Sequence, residues 1–345
     1  MSESQAATAP AAGRTAPVSV VLTVYNATWC VEKALDSVMA QTLPPDEVLV
    51  CDDGSTDGTP DLVERRYGPP VTVLRLPHRN ASATRSVGLA RARSTWLSFM
   101  DADDVWHPEK LERQMGFLAR HPEVRWCCTD GAFVSAEGVI RESWLSDYFN
   151  PVRDRAGDLL MILLQRCFPL MSSMLVYREA YHQVGGINPE IVYSHDYDLW
   201  LRLAARYPGG MLSDRLVDYL YHPGQLSRRI EDRGLDDLGI MRRIERGDLG
   251  QAPSLRQAAA ERAAAIEFDL GLLCFRTGRI PEGRARLRRA AAAGPLRRRM
   301  LAFAGAMLPP AALARLMRSP RIKQTVQRTR RRPPVERLET DGDAR

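Results

Sequence analysis

The sequence has no run of apolar residues that reaches the ~18 needed to span a bilayer. Residues 1–16 are rich in Ala, Ser and Thr and have neither the charged start nor the apolar segment of a secretory signal peptide, so we expect them to be disordered. Together these two absences predict a soluble, cytoplasmic protein.

Cysteine is also scarce. The six cysteines are Cys30, Cys51, Cys127, Cys128, Cys167 and Cys274. Their spacing matches neither a zinc site nor a disulfide framework, and we expect reduced core residues. With 345 residues, of which 45% are hydrophobic and 26% charged, the chain is long enough for one large domain with appendages.

What the sequence does contain is an apolar run, Leu97–Met100, that ends in three carboxylates within four residues: Asp101, Asp103 and Asp104. Like charges this close repel, so the cluster favours a bound cation. A strand end in an α/β sheet is where ligands bind, and a divalent metal held by one or two carboxylates plus substrate phosphates is usual for a nucleotide site. The same pattern also fits a solvated turn or a helix cap.

The N-terminal half alternates between two hydrophobic periodicities. Strands are predicted near 18–24, 46–52, 71–76 and 95–101, and helices near 29–41, 57–66, 80–92 and 108–120. The alternation predicts an α/β fold with a mostly parallel sheet, crossover helices and functional loops at one edge. A second strand ends in carboxylates at Asp52 and Asp53, and Tyr25 follows the first strand, where a base could lie on its ring. Tyr25 could equally be a core aromatic.

Four segments, VSVVLTVYN, EVLVCDDGSTDGT, NASATRSVGLARA and WLSFMDADD, occur in the order seen in family 2 glycosyltransferases and resemble their nucleotide-sugar-binding half. The resemblance continues through a Gly-Gly turn at 185–190 and the segment 194–202. It implies a GT-A fold, a Rossmann-like donor region continuous with an acceptor region, which we place at residues 17–230.

The resemblance also implies roles for individual residues. A nucleotide-sugar donor would contact Thr23, Tyr25, Asp53, Arg85 and Asp103; a divalent metal, Mn²⁺ or Mg²⁺, would be held by Asp104 with Asp103; and Asp101 and Asp52 would orient the ligands and hold the loop. A metal there would offset the charge that develops on the leaving diphosphate. All three acidic residues of the motif could instead cap the helix that follows Pro108.

Direct displacement at an anomeric carbon needs a base for the acceptor hydroxyl, and Asp196 is the candidate. It resembles the catalytic aspartate of the family's Glu-Asp-x-Asp pattern, although His195 replaces the glutamate here. Asp196 or Asp198 could also simply cap the helical segment that follows. A single in-line displacement would invert the anomeric configuration.

The C-terminal third differs in composition. Residues 231–318 are predicted to be an α-helical appendage with one helical hairpin, and residues 319–345 a basic, disordered tail. Residues 279–332 hold 16 Lys and Arg against one acid, whereas the whole chain has a net charge of only +6. The segment 296–332 therefore suits an anionic membrane surface. A solvated tail is the alternative, and nucleic acid is not expected because no aromatic interleaving accompanies the charge.

These observations predict an inverting, metal-dependent glycosyltransferase of cell-envelope or surface polysaccharide synthesis. It would move a sugar from a nucleotide-sugar, with a UDP-sugar favoured, to a glycan or lipid-linked acceptor, and would be cytoplasmic or peripheral on the inner face of the cell membrane. One alternative is a nucleotidyltransferase, but this would leave Asp196 unused, and the N-terminal motif lacks a Gly-rich, Lys-containing phosphate loop. The other is a catalytically silent nucleotide-sugar-binding module.

Overall fold

The structure is a computed structural model that describes residues 15–222, 225 and 229–307. The chain divides into two compact units. The first unit holds the described residues up to Asp147, then Pro151–Leu159 and 168–222; the second holds Tyr148–Asn150, Leu160–Cys167 and the described residues from 225 onward. The sequence-based boundary after residue 230 stays a prediction. Residues 1–14 and the predicted tail at 319–345 lie outside the described residues.

The first unit is built on a ten-stranded sheet. Its strands are β1 (Ala16–Val24), β2 (Pro45–Asp52), β3 (Val71–Arg75), β4 (Trp96–Asp101), β5 (Val105–Trp106), β6 (Trp126–Ser135), β7 (Gly138–Arg141), β8 (Arg155–Gly157), β9 (Leu175–Tyr177) and β10 (Gly209–Leu220). Its helices, numbered along the whole chain, are α1 (Val31–Met39), α2 (Thr59–Arg66), α3 (Ala81–Arg91), α4 (Lys110–Arg120), α6 (Arg178–Gln183) and α7 (His195–Ala204).

The strand order is β3-β2-β1-β4-β9-β6-β10-β5, with β7 beside β6 and β8 beside β10. Strands β3, β2, β1 and β4 are parallel neighbours, and β6 and β10 are also parallel. Thr23 of β1 lies opposite Asp101 of β4, and Val24 lies opposite Asp52 of β2. The acidic ends of β2 and β4 therefore meet at one edge of the sheet, on either side of β1.

The helices cover both faces of this parallel half. Val20 and Leu22 point to the face on which Val31 and Leu35 of α1 are buried. Residues in between point to the other face, where α3 packs so closely that a Cβ on Gly88 would lie 2.7 Å from Val21. Because β1 is buried on both faces, its sequence is a continuous β-branched run and does not alternate between apolar and polar residues.

The predicted α/β, GT-A-like fold with added C-terminal helices is confirmed. Each of the four predicted strands and four predicted helices of the N-terminal half is present within a few residues of its expected bounds. Strands β5 to β10 were not predicted. Several are only two to four residues long, and β7 is exposed throughout, so they carry no alternating pattern.

The second unit is helical, with α5 (Leu160–Gln165), α8 (Ile230–Arg246), α9 (Pro253–Arg276), α10 (Ile280–Ala290) and α11 (Leu296–Met307). The predicted hairpin corresponds to α9 and α10. A small core joins α9, α10 and α11, formed by Phe268, Leu272, Leu287, Ala290, Ala302 and Ala306. Within the described part of the chain, no helix combines the length and apolar character needed to cross a membrane.

Candidate active site

The acidic motif leaves the sheet at the end of β4. Asp101 is the last residue of that strand, and the backbone N–H of Asp104 donates to its carbonyl at 3.2 Å, closing a tight turn before β5. Strand β5 then pairs with β10 through Val105 and Trp106. The pairing holds the turn between the parallel half of the sheet and β10.

Asp103 and Asp104 are neighbours in different surroundings. Asp104 is 2% exposed, and its carboxylate accepts from the Ser172 hydroxyl at 2.5 Å and from the Leu220 N–H at 3.4 Å. The Asp103 side chain is 25% exposed, and its carboxylate lies 2.9 Å from Nε2 of His222. Asp104 thus anchors the turn to Ser172 and to β10, whereas the Asp103 carboxylate is the more exposed of the two.

The carboxylates of the motif disfavour one another's charge. Burial raises the pKa of Asp104 well above its usual range, and the nearby Asp103 and Asp101 raise it further. Burial and Asp101 likewise raise the pKa of Asp103, although the hydrogen bond from His222 opposes the rise. A cation bound here would relieve this repulsion.

Arg85 connects three elements from a buried position on α3. Its guanidinium donates to the Thr23 hydroxyl at 2.8 Å, to the Asp101 carboxylate and to Nε2 of His195 at 2.8 Å. Arg85 is 2% exposed, and its Nε has no hydrogen-bond partner among the described atoms. Arg85 thus holds the Asp101 carboxylate. The contact of Arg85 with a nucleotide-sugar donor and the orienting role of Asp101 stay predictions.

His195 is held as a neutral imidazole. Its Nδ1 lies 3.1 Å from the Val192 carbonyl and therefore carries the hydrogen, which leaves Nε2 to accept from Arg85. Burial and the charge of Arg85 lower the pKa of His195 to about 4. The Glu-Asp-x-Asp pattern has a charged glutamate at this position, whereas this chain has an uncharged hydrogen-bond acceptor.

Asp196 follows directly in the first turn of α7, where its carboxylate accepts from the Tyr197 N–H at 2.7 Å. The helix begins at His195, so neither Asp196 nor Asp198 occupies the N-cap position, which belongs to Ser194. Asp198 instead forms a buried ion pair with Arg202 at 2.6 Å. His195 places the candidate base one residue from the Arg85 network.

The residues predicted to bind the nucleoside lie at the ends of β1 and β2. Tyr25 is 49% exposed and stacks on His78 with a centroid distance of 4.3 Å, so it is not a core aromatic. The buried Asp53 carboxylate accepts from the Arg79 N–H at 3.0 Å and from the Thr84 hydroxyl. A contact between Asp53 and the nucleobase of a donor stays a prediction.

Asp52 holds the loop after β2, since its carboxylate accepts from the Ser55 N–H at 3.2 Å. This loop needs two residues with positive φ, Gly54 at 75° and Gly58 at 88°. Glycine adopts these angles without the steric cost that a side chain would bring.

Two potential metal ligands lie side by side at the acidic turn, Asp103 and His222. Asp103 offers a carboxylate oxygen, which suits Mn²⁺ or Mg²⁺, and His222 offers an imidazole nitrogen, which suits a transition metal better than Mg²⁺. Substrate phosphates and water would complete the shell. Among the described residues, the group of three potential ligands within 4.8 Å of one another is instead Glu231, Cys274 and Glu282. Arg279 pairs with both of those glutamates, so ion pairs account for that group.

Sequence reasoning missed His222, Ser172 and Trp29. Trp29 is 59% exposed and meets the His222 ring edge-on at 5.0 Å, beside Asp103. None of the three lies in a motif, and they reach the acidic turn only through strand pairing and loop packing. A single sequence holds no signal for such contacts.

Part of the sequence matches the model of a known protein family. The model of "Glycosyl transferase family 2" matches residues 19–179. An uncharacterized glycosyltransferase of Rickettsia prowazekii is 27% identical over 193 residues, covering 54% of this chain and 58% of the relative. A chondroitin synthase of Pasteurella multocida is 24% identical over 189 residues, covering 54% of this chain and 19% of that protein. The chain thus spans 58% and 19% of the length of these two relatives.

Two solved structures share the fold. TarS 1-349 of S. aureus, in complex with UDP-GlcNAc, superposes with a TM-score of 0.60 at 19% identity, covering 84% of each chain. The mannosyltransferase PcManGT of Pyrobaculum calidifontis, in complex with GDP-Man and Mn²⁺, gives a TM-score of 0.60 at 23% identity, covering 93% of this chain and 87% of that one. The match to the family 2 glycosyltransferase model over residues 19–179 agrees with the resemblance that the four ordered motifs carry.

Proposed function

We propose that this chain is an inverting glycosyltransferase that moves a sugar from a nucleotide-sugar to a hydroxyl of a glycan or lipid-linked acceptor. The observation that carries the proposal is the Arg85 network, which joins Thr23 and Asp101 at the donor edge of the sheet to His195, next to Asp196. The network would thereby hold the residue beside the candidate base near the proposed donor-binding edge. A nucleotidyltransferase or a binding module would not need this connection.

Asp103 and His222 would hold a divalent metal, with Asp104 contributing mainly to the shape of the turn. Bound there, the metal would act as a Lewis acid toward the diphosphate leaving group. The partly exposed Asp103 carboxylate supports this order of roles, because Asp104 is buried and already accepts hydrogen bonds from Ser172 and Leu220. Asp101 would remain an orienting residue through Arg85.

Asp196 would accept the proton of the acceptor hydroxyl. Its position on the first turn of α7 is set by its neighbour His195, whose two ring nitrogens are both engaged. Because His195 is neutral, it adds no second negative charge beside the base. Attack from the face opposite the leaving diphosphate would invert the anomeric centre.

For the donor we propose a UDP-sugar. Tyr25 would stack on the base and Asp53 would accept from a base N–H, while Thr23 and Arg85 would line the donor edge. The complex of the fold neighbour TarS with UDP-GlcNAc supports this choice, whereas that of PcManGT with GDP-Man keeps a second nucleotide in the test. The chondroitin synthase relative supports a role in polysaccharide synthesis, with cell-envelope or surface glycans as the proposed products.

We further propose that the enzyme works in the cytoplasm, peripheral on the inner face of the membrane through residues 296–332. The buried cysteines support a reducing compartment, since Cys51, Cys127 and Cys128 are free thiols in the core. Of the segment 296–332, only residues 296–307 are described.

The decisive experiment measures thermal stabilisation and hydrolysis of UDP-sugars and GDP-mannose, with and without Mn²⁺. We expect one donor to raise the melting temperature and to be hydrolysed slowly only with the metal. Asp196→Asn should keep the donor affinity and lower turnover at least ~100-fold, because the base serves the acceptor rather than the donor. A parallel fall of affinity and turnover would make Asp196 a binding residue, and no response to any nucleotide-sugar would overturn the proposed function.

A further inference from the structure

Helix α11 carries a stripe of exposed apolar side chains. Leu296, Met300, Phe303 and Met307 are 68%, 63%, 59% and 61% exposed. Their spacing of four, three and four residues places them on one face of the helix. A run of four large apolar side chains on one exposed face marks an interaction surface rather than scattered surface residues.

The other side of α11 is anchored. Ala302 and Ala306 are buried against Phe268 of α9 and Leu287 of α10. At the start of the helix, Nε of Arg299 donates to the Ala291 carbonyl at 3.0 Å, which joins α11 to the end of α10. The helix is therefore fixed by its small residues, and the large ones point away from this core.

The surroundings of the stripe are strongly basic. Residues 279–332 carry a net charge of +15, so the rest of the chain carries −9. Three consecutive arginines, residues 297–299, lie within the first turn of α11 itself. An apolar stripe flanked by arginines is the arrangement of a helix that lies in the headgroup region of an anionic bilayer.

We propose that α11 docks on an anionic lipid surface, with Leu296, Met300, Phe303 and Met307 entering the boundary between headgroups and acyl chains. A second copy of the chain would bring the same +15 segment against itself. Residues 308–332 add eight more basic residues and no acid, so the charge also disfavours this segment as the cover of the stripe. Nucleic acid would match the charge but would leave the apolar stripe in water. This inference rests on the membrane contact proposed above and narrows it to one face of α11. The vesicle test needs no glycosyl transfer, so its outcome can be told apart from failure of the proposed activity.

The test is co-sedimentation of the full chain with phosphatidylcholine vesicles that do or do not contain about 30% phosphatidylglycerol. We expect binding to the anionic vesicles, weaker binding at high salt, and little binding without the anionic lipid. The double variant M300Q/F303Q should lower the vesicle partition coefficient at least ~10-fold, because two large apolar side chains no longer insert. Circular dichroism and the melting temperature should stay unchanged, since both side chains are exposed.

The matched control is I140Q/I230Q, which removes two apolar side chains that are 57% and 71% exposed elsewhere. It should bind vesicles like the wild type. If M300Q/F303Q bound vesicles as tightly as the wild type and only deletion of residues 308–345 abolished binding, membrane binding would belong to that segment. This result would overturn the role of α11. A dimer that M300Q/F303Q dissociates, or binding to RNA but not to vesicles, would also overturn it.

Discussion

Arg85 reaches Thr23 on β1, Asp101 on β4 and His195 on α7 from one buried guanidinium. Burying an arginine is costly unless most of its donors are paired. Here an imidazole, a hydroxyl and a carboxylate accept from the two terminal nitrogens, while Nε has no partner among the described atoms. The neutral His195 matters for this balance. It accepts a hydrogen bond from Arg85 without competing with Asp101 for the positive charge.

The two neighbouring carboxylates Asp103 and Asp104 should respond differently to the same substitution. Asp103→Asn keeps an oxygen for His222 but loses the charge, so we expect a near-wild-type melting temperature, loss of Mn²⁺-dependent nucleotide binding and turnover at least ~100-fold lower. Asp104→Asn places an amide where Ser172 and Leu220 donate, and should cost roughly 1–3 kcal/mol of stability.

Calorimetric titration of nucleotide with and without Mn²⁺, together with urea unfolding, separates the two variants. If Asp104→Asn removes the metal dependence at unchanged stability while Asp103→Asn binds Mn²⁺ normally, Asp104 is the principal ligand, as the sequence resemblance implied.

Lys110 is a buried base outside the candidate site. Its ammonium lies 3.8 Å from the Trp106 ring centre and donates to Gln114 at 2.9 Å, but burial lowers its pKa from 10.5 to about 7, an effect that Cys127 slightly opposes. Between these two pH values the unfolded chain binds one proton more than the folded chain. Stability should therefore rise with pH across this window, and the cost of charging Lys110 is fully present below pH 7.

From pH 7 to pH 9 this single group should add roughly 2 kcal/mol to the free energy of unfolding. Lys110→Met should lose that increment, whereas Lys33→Met, at an exposed lysine of α1, should keep it. Urea unfolding of the three proteins at both pH values measures the difference. A wild-type slope in Lys110→Met would show that the lysine is not the titrating group.

Residues within motifs could be assigned from the sequence, and residues outside them could not. Asp101 ends a predicted strand, Asp103 lies two residues beyond it, and Arg85 lies on a predicted helix. The alternation of strands and helices therefore predicts that they lie near the same edge of the sheet. His222 reaches Asp103 because β10 pairs with β5, a contact between residues far apart in the chain. The burial of Asp104 beside Ser172 depends on the same long-range packing.

At the scale of elements, α3 is placed by a residue without a side chain. A Cβ on Gly88 would lie 2.3 Å from Sγ of Cys51 and 2.7 Å from Val21. The helix can therefore lie directly on β1 and β2, which brings Arg85 to the sheet edge. The sequence predicts α3 but gives no sign of this close approach.

Gly88→Ala should destabilise the protein by roughly 1–3 kcal/mol despite the higher helix propensity of alanine, because the methyl group overlaps the sheet. It should also weaken donor binding, since α3 carries Arg85. Gly116→Ala on α4 is the matched control: its Cβ would meet only Arg120, at 3.8 Å, so we expect stabilisation of up to ~1 kcal/mol. Urea unfolding checks both, and a stabilised Gly88→Ala would refute the close packing.

At the scale of the whole molecule, sequence composition predicts a helical, basic C-terminal part after the α/β part, and the structure divides into two compact units. Composition could not indicate that Tyr148–Asn150 and Leu160–Cys167 group with the helical unit. These short segments are set by tertiary packing, and α5 contains too few residues to show a helical period.

One buried carboxylate joins three helices of the helical unit. Glu267 on α9 is 3% exposed and pairs with Arg242 of α8 at 2.7 Å and with Arg286 and Arg289 of α10 at 3.2 and 2.7 Å. Glu267→Gln removes the charge that three arginines share, so it should destabilise this unit by roughly 3 kcal/mol. Glu282→Gln, at a half-exposed pair with Arg286, should cost less than ~1 kcal/mol.

Because each unit has its own core, a single unfolding transition is not assumed, and hydrogen exchange followed by mass spectrometry is the suitable measurement. Glu267→Gln should speed exchange in α8, α9 and α10 and leave the amides of β1, β2 and β4 protected. Glu282→Gln should resemble the wild type throughout. Equal loss of protection in the sheet would mean that the molecule unfolds as one cooperative body, and unchanged exchange in the helices would show that the arginines around Glu267 do not depend on its charge.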